Sequence, residues 1–129
     1  MHDRIAALAR RAQADPFFLA WALKEYASDE GLDEPGLATL LGCPVETLGP
    51  LGLCRRPRPA PSRFRQDVDQ IAARFGVKAA VLAEIVRRAD ALAAMRRHIE
   101  SERGLLMAAR DREEQATGDA TRQTEDEPP

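Results

Sequence analysis

A chain of 129 residues has room for one domain and a tail. No apolar run approaches the roughly 20 residues that cross a bilayer, and the charged start MHDRIAALARRAQAD makes a poor secretory signal, so a soluble cytoplasmic protein is expected. With 44% hydrophobic but only 5% aromatic residues, the core must be aliphatic and alanine-rich. The net charge of −2 hides an asymmetry: residues 1–54 hold 4 Lys+Arg against 8 Asp+Glu, residues 55–110 hold 13 against 6, and residues 111–129 hold 2 against 7. A basic middle between acidic ends suits a polyanion, or the chain's own acidic tail.

The first element is a helix from Asp3 to Ala14, with Ile5, Leu8, Ala9 and Ala12 on one side. Asp15 and Pro16 read as a cap and a first helical proline, opening a second helix that runs to Glu30. Phe17, Phe18, Trp21 and Tyr26 put four of the six aromatics there, so this helix is expected to buttress the core. Gly31 ends it. Asp33 caps a third helix over Glu34–Leu41, stopped by Gly42. Pro44 opens a fourth, which Gly49, Pro50 and Gly52 keep short or kinked.

Leu37, Ala38 and Leu41 form one apolar face, and Leu48 and Leu51 return to the core after the glycine turn. A small residue, a turning glycine and an apolar anchor in this order make a helix-turn-helix pattern. Cys54 to Pro61 holds three prolines and three arginines and reads as an extended connector.

Ser62 is placed to cap a fifth helix, Arg63 to Phe75, with a stripe of Phe64, Val68, Ile71, Ala72 and Phe75. Gly76 ends it. A long helix follows from about Lys78 to Arg103, weakened at Gly104, and the polar segment from Asp111 reads as disordered. LATLLGC at 37–43 matches IAARFGV at 71–77 with an offset of 34. Two helix pairs with glycine turns explain this as well as tandem units do. Cys43 and Cys54, about 16 Å apart along a helix, are too distant for a disulfide and read as small core residues.

On LATLLGC with Leu48 and Leu51, and IAARFGV with Leu82, residues 16–89 resemble the helix-turn-helix domain of the Cro/CI-type (XRE) repressor family. The resemblance implies an all-α, five-helix bundle over residues 16–90. To it are added an N-terminal helix over 1–15, a C-terminal helix extension over 91–110 and a disordered acidic tail over 111–129. It also implies a DNA-binding regulator whose second motif helix enters the major groove. Here the outward positions of that helix would be Val45, Glu46, Thr47, Gly49, Pro50 and Gly52, none basic and none an amide. Only Glu46 and Thr47 have chemistry for base edges.

The basic group lies beside it: Arg55, Arg56, Arg58, Arg63 and Arg65, with no acid from Cys54 to Gln66. Guanidinium forks suit phosphate and would give salt-dependent binding indifferent to sequence. Equally, these arginines can pair with Asp67, Asp69 or the acidic ends. Two functions therefore stand: a DNA-binding regulator working through the arginine connector, or a protein-interaction module that has lost base reading and docks an acidic partner. Leu92, Ile99 and Leu106 recur every seven residues and predict a homodimer. His2 and His98, three serines at caps or charged faces, and the absence of a glycine-rich phosphate loop supply no catalytic, metal or cofactor pattern, so no enzyme and no cofactor are expected.

Overall fold

The computed structural model describes the backbone of residues 2–126 and the side chains of residues 4–113. The described residues form six α-helices: α1 (His2–Ala12), α2 (Leu19–Glu30), α3 (Glu34–Leu41), α4 (Leu48–Gly52), α5 (Pro61–Phe75) and α6 (Ala79–Asp126). A single 3-10 turn, Val45–Thr47, leads into α4. Among the described residues there is no strand, only an isolated antiparallel bridge between Phe18 and Arg55. The chain divides into a compact unit that ends at Leu92 and a second unit formed by the rest of α6.

Glycine sets the helix ends. Gly31, Gly42 and Gly76 adopt left-handed φ of 68°, 79° and 69°, which L side chains avoid. The amide after each one reaches back to a carbonyl five residues earlier: Leu32 to Ala27, Cys43 to Ala38 and Val77 to Ala72. The last two bonds repeat at the offset of 34 seen in the sequence. Gly31 makes the same bond outside that repeat, so the shared feature is a glycine stop.

Several boundaries differ from the sequence expectation: α1 ends at Ala12 rather than Ala14, and α4 starts at Leu48 rather than Pro44. The second helix begins at Leu19, not Pro16. The Asp15 carboxylate accepts from the Phe17 amide, and Phe18 stays extended without a side-chain cap. The connector supplies what a cap would have given: the Leu19 amide donates to the Cys54 carbonyl at 2.8 Å, and the Arg56 amide donates to the Phe17 carbonyl at 2.8 Å. Helix α5 starts at Pro61 rather than after a Ser62 cap, because proline tolerates the first turn, where no amide partner exists. Helix α6 passes through Gly104, where a single glycine costs about 1 kcal/mol against alanine, less than a continuous helix of good formers can absorb. The polar segment expected to be disordered from Asp111 continues that helix to Asp126, consistent with its Ala, Glu, Gln and Arg content; residues 127–129 lie outside the described residues.

The core of the first unit closes on Leu19, Leu41, Leu51, Leu82, Ile85 and Val86, all fully buried. From α2 it takes Leu19, Ala22, Leu23 and Tyr26. The aromatic buttress is thus smaller than composition suggested: Phe17 is 54% exposed, and Phe18 and Trp21 are half-buried. On α1, Ala9 and Ala12 are buried, but Leu8 is exposed. Polar ties fix the frame. Asp33 caps α3 by accepting from the Gly36 amide at 2.8 Å. The Lys78 amide donates to the Leu41 carbonyl at 2.9 Å, joining the start of α6 to the end of α3. Arg88 pairs with Asp29 and Glu30, offsetting two acids at the end of α2 that the helix dipole disfavours.

Candidate functional site

Helix α4 has five residues, two of them glycine and one proline, so its own propensity cannot hold it. Packing does: α1 and α2 both lie against it. A Cβ built on Gly52 would stand 3.0 Å from the Cβ of Ala20 and 3.4 Å from its Cα. One on Gly49 would stand 3.3 Å from Cγ2 of Ile5. The glycines are there for close approach. This corrects the expectation that Gly49, Pro50 and Gly52 point outward. Gly52 is buried against α2, and Gly49 and Pro50 are half-buried beside α1. Of the six expected contact positions, Val45 and Glu46 are exposed and Thr47 is half-buried.

The connector is held in place by its own arginines. Arg58 grips Asp67 with both prongs, Nε to Oδ2 and Nη2 to Oδ1 at 2.9 Å each, and its backbone amide donates to Oδ2 at 3.0 Å. Those bonds hold the Asp67 carboxyl down at about 2; the Arg58 side chain contributes most, then its amide, with burial opposing and the nearby Arg55 charge helping. The pair therefore remains ionised well into acid. Arg56 pairs with Asp90 and lies over the Trp21 ring at 5.1 Å. Arg55 lies over the Phe17 ring at 5.8 Å. Arg63 and Arg65 are exposed and form no ion pair among the described residues. The five arginines thus split: two are committed to the fold, one stacks, and two face solvent.

Between α1, α2, the start of α3 and residues 45–50 lies a groove of about 540 Å³. Its floor is small and aliphatic, with Ala9, Ala27, Leu37 and Leu48 among the lining residues. Arg10 and Lys24 contribute cations to the lining, and Asp33, Glu34 and Glu46 contribute acids. The groove is not legible in the sequence, where α1 reads as an addition to the bundle. The one available signal was a pair of glycines in a helix too short to need them.

In the second unit, the expected dimer positions Ile99 and Leu106 are 47% and 70% exposed, with Met95 at 60%; Leu92, at the end of the first unit, is half-buried. Cys43 and Cys54 are free thiols packed against the core, and burial pushes both above the ordinary thiol range, away from nucleophilic use. Among the described residues no group of three or more His, Cys, Asp or Glu is placed to hold a metal ion, and no helix is long and apolar enough to cross a membrane. Compared with known protein families, curated proteins and solved structures, the chain gives no match.

Proposed function

We propose that this chain is a non-enzymatic protein-interaction module on a helix-turn-helix-type scaffold, in which the second motif helix packs rather than reads, and which self-associates through α6 beyond Leu92. The observation that carries this reading is the seat of α4. With Gly52 against Ala20 and Gly49 against Ile5, the helix that would enter a major groove has α1 on one flank and α2 on another. Gly49 and Gly52 are thereby taken up by packing, which leaves Val45, Glu46 and Thr47 as the only expected contact positions not committed to a neighbouring helix. Two of the five connector arginines are also engaged internally, which lowers the charge left for phosphate.

One observation favours DNA as a second reading: Arg63 and Arg65 remain exposed and without ion pairs among the described residues. Fluorescence anisotropy of a short mixed-sequence duplex with the full chain, across a salt series, separates the two. The interaction module gives no binding at physiological salt. The DNA reading gives binding whose salt slope flattens by about 2 when Arg63 and Arg65 become Ala. In that case Thr47→Ala would cost about 1 kcal/mol or less, as a single neutral hydrogen bond does. Tight, sequence-selective binding that survives loss of both arginines would overturn both readings.

A further inference from the structure

Two apolar surfaces of this chain stand without a partner among the described residues: the groove beside α4, and the stripe of α6 that carries Met95 and Ile99. We infer that they are partners, each in a different copy. The α6 extension of one copy docks in the groove of a second, and the exchange is reciprocal, closing a two-fold dimer. This rests on the interaction-module reading and names its partner.

The spacing suits a helix laid across the groove of about 540 Å³. Leu92, Met95 and Ile99 follow the i, i+3, i+7 spacing by which an amphipathic helix presents its anchors to a groove. The charges agree as well. Arg96 and Arg103 flank the stripe, and Glu34, Glu46 and Asp33 stand on the groove. The groove's own cations, Arg10 and Lys24, have an opposite in Glu102, which lies on the other flank of the stripe and pairs with His98 within α6.

The alternative, two α6 helices zipped along Leu92, Ile99 and Leu106, is less well served by the same residues. In that register Arg96, Arg103 and Arg110 recur every seven positions on one flank. An antiparallel pair sets arginine against arginine, and a parallel pair offers them His98 and Leu105, with no carboxylate. Glu102 would also fall in the seam.

The test is a charge swap read by sedimentation velocity on the full chain at high micromolar concentration, with far-UV circular dichroism melts as a control for folding. The unmodified chain is expected to be a dimer and Ile99→Glu a monomer. Glu34→Arg with Glu46→Arg changes only exposed side chains, and should weaken dimerisation by about tenfold or more, since like charges then face each other. Adding Arg96→Glu and Arg103→Glu should restore it. A dimer indifferent to the Glu34 and Glu46 reversal overturns the groove in favour of the zipped helices. A dimer weakened by the reversal but not restored by the swap overturns the pairing of these charges. An unmodified chain that is monomeric overturns the inference altogether, and with it the self-association through α6; if that monomer also fails to bind duplex DNA, the interaction-module part of the reading still stands, with another partner.

Discussion

Leu51→Ala should destabilise the protein by about 2–5 kcal/mol, the cost of deleting a fully buried leucine where the surroundings cannot collapse. Leu51 has no exposed surface and belongs to a five-residue helix with almost no intrinsic tendency to form. Its side chain is what anchors α4 to Leu19, Leu41 and the other closely packed residues of the core. The midpoint and slope of urea unfolding measure the loss. A change below about 0.5 kcal/mol, the size seen for ordinary surface substitutions, would mean that α4 is not seated in the core.

Gly52→Leu tests the same seat from the opposite direction, by adding atoms. A first side-chain carbon would already lie 3.0 Å from Ala20 and within 3.4 Å of its backbone. Backbone cannot swing aside as a flexible side chain can, so α4 must shift away from α2. Overpacking of this kind costs about 1–3 kcal/mol and occasionally more. Gly104→Leu is the control. Nothing stands within 4 Å of the Cβ position there, and replacing a mid-helix glycine is worth about 0.5–1 kcal/mol of stabilisation. Thermal unfolding should therefore move down for Gly52→Leu and stay level or rise for Gly104→Leu. Equal effects at the two glycines would contradict the close contact between α4 and α2.

What could be read from the residues alone was whatever is local. The glycine stops at Gly31, Gly42 and Gly76, the Asp33 cap, the stripe Phe64, Val68 and Ala72, and the extended Pro-Arg connector all follow from interactions within a few residues. What could not be read depends on distant neighbours. Asp15 and Pro16 carry a valid local start signal, but the Leu19 amide is satisfied by Cys54, across 35 positions of sequence, and the helix begins where that bond places it. Arg56 finds Asp90 at a separation of 34 residues. Arg58 finds Asp67 only nine residues on, and Asp67 was legible as a partner for the connector. The position of α1 was the least legible of all. Its apolar set of Ile5, Leu8, Ala9 and Ala12 says that it packs, though Leu8 is exposed, and nothing in the pattern says on what. Because α1 lies against α4, positions that a motif reading assigns to DNA become packing positions.

The contact between α1 and α4 decides whether α4 packs or reads, and one nuclear Overhauser experiment on the full chain addresses it. With Ile5 methyl-labelled, a strong cross-peak is expected between the Ile5 γ2 methyl and the Gly49 α protons, matching the 3.3 Å approach at that position. The peak should persist when duplex DNA is added at physiological salt. A missing cross-peak would show that α1 does not lie on α4, and one that vanishes on adding duplex while the amides of residues 45–52 shift would show α4 engaging DNA; either result contradicts a packed, non-reading α4.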